Sequence, residues 1–290
     1  MADGHDIPLP NVLVIGAAKA GTTSLCAYLD QHPGVCVSHP KETHFFSNYD
    51  NYRRGLDHLR RDYFGHWSGE PVVVEGTPDN SALGVYSEVL PRVRADLGRV
   101  KCVYMVRHPM RRMESFYSQE QQNGDSLPPF RWAVRERALY IDACRYHTHL
   151  LAWRLAMGDE NVRVVFFEDF AADTEAAVRD VLAFIGADPS TELDLSASND
   201  RSNHRQDTAA MTAIRRQPAL VKAVDTARRV LPTPVVQAGK NLLRRPVTPA
   251  LWDEAAWAWA LERVKPEAEA VLVDQGRPVE YWDFSAPEFL

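Results

Sequence analysis

Long apolar runs are missing from this 290-residue chain, and so is any excess of positive charge. No uninterrupted apolar stretch approaches the ~18 residues needed to cross a bilayer. The opening MADGHDIPLP has neither the basic nor the apolar segment of a secretory leader. The expectation is a cytoplasmic protein without a membrane span. A formal net charge of -6 supplies no broad positive field to match nucleic-acid phosphates. No nucleic-acid partner is therefore expected, and an anionic ligand needs a local basic site. Cysteine pairs at redox or metal spacing are absent too. Cys26, Cys36, Cys102 and Cys144 form no C-x-x-C pair and no zinc pattern, and three of them stand in apolar runs that read as core. All four are expected as reduced thiols. His147 and His149, two apart in a helical pattern, fall on different faces, which opposes their sharing a metal.

What is present is ordinary globular material, 45% hydrophobic and 25% charged, with no internal repeat, and it reads as a single domain over 1-290. Short β-branched runs at 11-15, 34-38, 71-76, 101-107 and 162-168 alternate with amphipathic segments. That alternation predicts an α/β fold of three layers, a central and mostly parallel sheet flanked by helices. Ligands in such folds sit at the carboxyl ends of the strands. Attention therefore falls on the residues that follow each run: Gly16 to Thr23, His39 to Phe46, Glu75 to Asn80, Arg107 to Ser115, and Glu168. Beyond about 188 the chain turns polar, and 207-250 carries eight Lys or Arg against Asp207 and Asp225. Read by pattern, 251-263 and 265-275 form two closing helices.

One more absence is the most informative. In NVLVIGAAKAGTTSL, Gly16, Gly21 and Thr23 keep the spacing of the nucleotide P-loop G-x-x-x-x-G-K-[ST], but Thr22 stands where the lysine belongs. The nearest lysine, Lys19, lies inside the loop. A strand, a glycine-bearing loop and a helix N-terminus still make an anion cradle from backbone N-H groups and the helix dipole. A nucleoside triphosphatase would also need a strand-end acid to hold Mg²⁺. The run KCVYMV ends instead in Arg107, which opposes a metal and suits a second anionic group. Pro109 fits the first position of a helix that carries Ser115 about two turns in.

These residues carry a resemblance. GAAKAGTTSL resembles the 5'-phosphosulfate loop, and VYMVRHPMRRMESFYS the 3'-phosphate motif, of sulfotransferases that use 3'-phosphoadenosine 5'-phosphosulfate (PAPS). HPGVCVSHPKETHFF, VEGTPDNS and the segment from Tyr146 to Asp188 are similar to heparan-type and bacterial members, and the likeness is weakest from 195 to 250. The resemblance implies a P-loop-like fold with a PAPS-binding core at 11-188, a polar and basic lid or substrate region at 189-250, and C-terminal helices and tail at 251-290. It implies that Lys19 stabilises the charge that develops on the bridging oxygen to the 5'-phosphate. Gly21, Thr22, Thr23 and Ser24, with Ala18 and Ala20 in the same loop, would hold that phosphate. Arg107 and Ser115 would hold the 3'-phosphate, Arg201 and Arg205 would cover the cosubstrate, and no metal is needed.

On the acceptor side, the resemblance makes Glu42 of PKETHFF the base that takes the acceptor proton, with His44 beside it. Phe45 would line the acceptor site, and Glu75 would orient the acceptor or Lys19. Alternatively, Glu42 pairs with Lys41 or Arg53 at the surface, and the aromatic residues Phe45, Phe46, Tyr49, Tyr52, Tyr63 and Trp67 are core. Of Arg111 and Arg112, at least one reads as an ordinary exposed helix charge. The acidic balance of the chain favours a small-molecule, lipid or glycoside hydroxyl over a sulfated polysaccharide, and a homodimer is left open. A P-loop kinase or NTPase, and a non-catalytic nucleotide-binding module, are the alternatives.

Overall fold

The computed structural model describes residues 7-195, 205-207, 244-246 and 248-289. The chain divides into two compact units. The larger takes Met1–Arg112, Ala138–Asn199 and Ala258–Ser285, and the smaller takes Met113–Arg137, Asp200–Trp257 and Ala286–Leu290.

The larger unit is built on five strands, β1 (Val12–Gly16), β2 (Val35–Val37), β3 (Val72–Glu75), β4 (Lys101–Val106) and β5 (Val162–Phe166). All are parallel, in the order β2-β3-β1-β4-β5. Strands covered on both faces should read as continuous apolar runs, and β1, β2 and β3 are buried at every residue. At about 1.5 to 3 kcal/mol for each large aliphatic side chain removed from water, these runs are a main source of stability. Among the described residues of the whole chain, the α-helices of six or more residues are α1 (Thr22–Leu29), α2 (Val89–Asp96), α3 (Pro109–Gln122), α4 (Phe130–Glu136), α5 (Tyr146–Met157), α6 (Phe167–Ala172), α7 (Thr174–Ile185) and α8 (Glu254–Asp274). Within the larger unit α1 touches α7, and α2 touches α5, so helices pair with helices outside the sheet.

The strand order decides where a ligand can sit. The chain leaves β1 toward β2, returns to pair β3 with β1, and then crosses to β4 on the other side. The carboxyl end of β1 is therefore a switch point, where loops diverge and leave a crevice. Pro109 does open α3, as expected from its fixed φ and missing N-H. The 162-168 run ends sooner than its composition suggests, at Phe166, and Phe167 begins α6.

The smaller unit holds an aromatic cluster. Phe130 of α4 meets Trp252 edge to face at 4.6 Å between ring centroids, and Trp252 meets Trp257 at 5.4 Å. Trp252 Nε1 donates to Glu114 Oε1 at 2.8 Å, and Gln121 exchanges two hydrogen bonds with the backbone of Thr248. The backbone of 205-207 pairs antiparallel with 244-246, so Arg205, Arg244 and Arg245 lie in a strand pair. Arg201, Asn203 and the basic residues from Arg215 to Lys240 lie outside the described residues.

Three sequence expectations meet a definite outcome. All four cysteines are buried and unpaired. Arg111 is exposed, whereas Arg112 is fully buried and donates from Nε to Cys144 Sγ at 2.9 Å and from Nη2 to the Tyr140 carbonyl at 2.6 Å. The two closing helices are corrected to one, because α8 runs from Glu254 to Asp274 through Pro266. The reason is packing. Ala260, Val264, Ala268 and Val271 keep helical spacing across the proline and are all fully buried. Glu267 is also held, accepting from Thr148 N at 2.9 Å and Thr148 Oγ1 at 2.5 Å on α5.

Pro266 itself is exposed in the helix interior. It costs a backbone hydrogen bond that tertiary contacts override, so Pro266→Ala should stabilise the fold by about 1 to 2 kcal/mol. Urea denaturation of the two proteins would show a higher midpoint for the variant, and a lower midpoint would disprove the packing account.

Candidate functional site

At the end of β1 the chain makes a turn that only glycine permits. Gly16 has φ 146°, and a Cβ added there would lie 2.2 Å from Ser81 Oγ and 2.7 Å from the Pro78 carbonyl oxygen. The loop is tied to β4 by Ala17 N, which donates to the Met105 carbonyl at 2.6 Å, and closes with Ala20 N donating to the Ala17 carbonyl at 3.1 Å. Gly21, at φ 95°, is the residue before α1, and a Cβ added there would lie 3.0 Å from the ring of Phe167. No side chain caps α1 and no acid lies in its first turn. The first amides of Thr22, Thr23 and Ser24 are thus left for an anion, with the positive end of the helix dipole behind them. Thr22 is buried, while Ala18, Lys19, Thr23 and Ser24 are partly exposed.

Arg107 comes to this loop from the end of β4. Its Nη1 donates to the Lys19 carbonyl at 3.1 Å, and its guanidinium lies 4.4 Å from the centroid of the Phe167 ring. Tyr146 Oη donates to the Arg107 carbonyl at 2.8 Å, so main chain and side chain are both fixed. The next residue, His108, donates from its N-H to Glu168 Oε1 at 2.9 Å. Ser115 lies in α3, the helix that follows Arg107.

The segment after β2 approaches the loop from its other side. Lys41 Nζ donates to Thr22 Oγ1 at 3.3 Å and pairs with Glu42 Oε1 at 3.0 Å. His44 Nε2 is 3.7 Å from Glu42 Oε2, and His44 Nδ1 is 2.8 Å from Asp79 Oδ2. The structure therefore gathers Lys19, Thr22, Glu42, His44 and Arg107 around one loop. Glu42 pairs with Lys41, and Arg53 is held by Asp50 at 2.9 Å instead. Among the described residues, Lys19 (φ 71°) and His44 (φ 48°) are the only non-glycine residues with left-handed backbone. Such conformations cost of order 1 to 3 kcal/mol and persist where the surroundings hold them.

Two members of the expected acceptor site sit differently. Glu75 is fully buried and has no surface with which to meet an acceptor. One of its oxygens accepts from Thr43 Oγ1 at 2.8 Å and from Thr77 Oγ1, and the other accepts from Asn80 Nδ2 at 2.9 Å. Burial raises its carboxyl, against the hydrogen bonds of Thr77 and Thr43 and the charge of Lys41. Thr77 Oγ1 in turn accepts from the N-H groups of Thr43 and His44 at 3.0 and 3.1 Å. Glu75 thus holds the loop that carries Glu42 and His44. Phe45 is also buried, packed edge to face on Phe46 at 5.1 Å and on Tyr52 at 5.5 Å, and belongs to the core. Tyr49 is exposed.

Sequence reasoning gave no role of their own to Thr43, Thr77, Asp79 and Phe167, and named Lys41 only as a partner of Glu42. The TPDN turn directly after a strand-end glutamate was the available signal for two of them, since a threonine and an aspartate there offer a donor and an acceptor to a neighbouring loop. Phe167 carried none, because an apolar residue at a strand end looks like core.

A parallel sheet whose first strand runs into a glycine-bounded, uncapped helix N-terminus defines a P-loop-like anion-binding domain. The sulfotransferase domain family matches residues 9-213, and the chain belongs to that family. It is 28% identical over 206 residues to the bifunctional heparan sulfate N-deacetylase/N-sulfotransferase 2 of Bos taurus, a match that covers 62% of this chain and 22% of that protein. It is 28% identical over 155 residues to the heparan sulfate glucosamine 3-O-sulfotransferase 5 of Mus musculus, covering 53% of this chain and 43% of that one. The chain thus spans less than half the length of either relative. A solved sulfotransferase from Alicyclobacillus acidocaldarius has the same fold, with a TM-score of 0.66 at 22% identity, over 95% of this chain and 99% of that one. No helix among the described residues is long and apolar enough to cross a membrane.

Two outcomes check this geometry. Glu75→Ala leaves Thr43, Thr77 and Asn80 without their acceptor and should cost about 2 to 4 kcal/mol in urea denaturation. An effect below about 0.5 kcal/mol would contradict the role given to this carboxylate. The hydrogen bond that His44 donates to Asp79 raises the imidazole above its ordinary 6.5, with burial opposing. The stability this pair adds is complete below pH 6.5 and is lost as pH rises through the raised folded value. An NMR titration should show His44 titrating lower in Asp79→Asn than in the wild type, and the stability gap between the two proteins should narrow with rising pH.

Proposed function

We propose that this chain transfers a sulfuryl group from PAPS to a hydroxyl of a small-molecule, lipid or glycoside acceptor. The observation that carries the reading is the convergence of Lys19, Arg107 and Glu42 on one uncapped helix N-terminus. The donor set suits a ligand with two phosphates. Backbone amides and the hydroxyls of Thr22, Thr23 and Ser24, with Ala18 to Gly21 as the turn, are offered to a 5'-phosphate. By the family motif, Arg107 and Ser115 are offered to a 3'-phosphate, and Arg201 and Arg205 to the rest of the cosubstrate.

PAPS supplies the sulfuryl group and a phosphate leaving group. Glu42 takes the hydroxyl proton as the acceptor oxygen bonds to sulfur, with His44 held next to it by Asp79. Lys19 stands at the oxygen that keeps the electron pair of the broken S-O bond and stabilises the charge that develops there. The products are a sulfate ester and 3'-phosphoadenosine 5'-phosphate. The scheme requires no metal. The overall negative charge of the chain supports a neutral acceptor, because a polyanionic chain would need a basic groove.

Thermal melts of the purified protein with 3'-phosphoadenosine 5'-phosphate, with AMP, and with ATP plus Mg²⁺ test the cosubstrate. A ligand at 100 times its dissociation constant stabilises the native state by about 2.7 kcal/mol. Stabilisation by the bisphosphate is expected, and stabilisation by ATP with Mg²⁺ alone would overturn the reading. With PAPS and a panel of hydroxyl and amine acceptors, Lys19→Ala should lower turnover by about 10²- to 10³-fold. Sulfation of amines but not hydroxyls would refute the choice of acceptor.

A further inference from the structure

The ammonium that the loop lacks at position 22 is returned to it by another segment. Lys41 Nζ stands 3.3 Å from Thr22 Oγ1, on the residue that fills the P-loop lysine position. The same ammonium is 3.0 Å from Glu42 Oε1, and the side chain is only 17% exposed. Its stem is packed: Lys41 Cγ would lie 3.1 Å from a Cβ placed on Gly76. Its main chain is held as well, since Ser38 Oγ donates to the Lys41 carbonyl at 2.6 Å. A lysine on the surface normally spreads its charge into water from a mobile stem. This one is pinned between the loop and the acceptor base.

Such a place has an electrostatic consequence. An anion at the N-terminus of α1 and the carboxylate of Glu42 carry the same sign and face the same small region. With no cation between them, the two negative charges would repel each other. The Lys41 ammonium has three donors, and two of them point to Thr22 and Glu42.

Resting on the sulfotransferase reading of the loop, we propose that Lys41 is a positioning residue that couples the two halves of the reaction. Its ammonium shares the 5'-phosphate end of the cosubstrate and keeps Glu42 oriented beside it. The lysine missing from the loop sequence is thereby supplied in space, from a position that also contacts the base. Lys19 and Lys41 then divide two tasks, Lys19 at the leaving oxygen and Lys41 between donor and base.

Calorimetric titration with 3'-phosphoadenosine 5'-phosphate distinguishes this from a structural role. Lys41→Met should weaken binding about tenfold, the low end for a charge-assisted hydrogen bond to an anion, and Lys41→Arg should recover most of it. In the Lys41→Met background, adding Glu42→Gln should restore part of the affinity, because it removes the carboxylate that the lysine screened. Lys41→Gln serves as a second charge-removing variant should Lys41→Met fail to fold. Equal affinity in wild type and both charge-removing variants would overturn the proposal alone, as would a double variant that binds no better than Lys41→Met. Failure of the wild type to bind the bisphosphate would overturn the reading of the loop and the proposal with it.

Discussion

A carboxylate buried where no water reaches it must find donors within the protein, and at the end of β3 that demand organises the segment that carries Glu42 and His44. Glu75 takes hydrogen bonds from Thr43, Thr77 and Asn80. Left uncompensated, such a group would cost several kcal/mol, so none of the three partners can drift away separately. Thr43 belongs to the segment after β2, and Thr77 and Asn80 to the turn after β3. Thr77 then passes the constraint to the amides of Thr43 and His44. The left-handed backbone of His44 is sustained by this arrangement, and Glu42 is placed two residues before it.

The opposite side of the site depends on close approach. Gly16 lets β1 run into the turn after β3 with no room for a side chain, and Arg107 grips the loop through the Lys19 carbonyl. Arg107 is fixed in three ways, by that bond, by the Phe167 ring and by Tyr146. A guanidinium restrained in this manner would lose little further freedom on meeting an anion, as the proposed cosubstrate site requires.

An acidic protein can still attract an anionic ligand if its cations are gathered and its acids are engaged. Lys19, Lys41 and Arg107 converge on the positive end of α1, while Glu42 is met by Lys41 and Asp79 by His44. The local field is what a ligand meets at close range, because distant exposed charges are screened within about 10 Å at ordinary salt. The net charge of the chain therefore does not set the charge at the loop, although an extended polyanion would also meet the surface beyond it.

The sequence by itself determined the strands and the loop. Continuous apolar runs at regular intervals leave a buried parallel sheet as the consistent solution, and Gly16, Lys19, Gly21 and Thr22 mark an anion loop with its lysine displaced. Glu42, His44 and Arg107 were legible because each follows a strand run, where such sheets place their ligands. Only the tertiary structure decided that Glu75 and Phe45 are interior, that Pro266 sits within one continuous helix, and that Lys41 stands against Thr22. Each of these outcomes depends on which side chains meet across the fold. Local pattern records periodicity and turn chemistry, whereas the environment of a charge is set by residues distant along the chain.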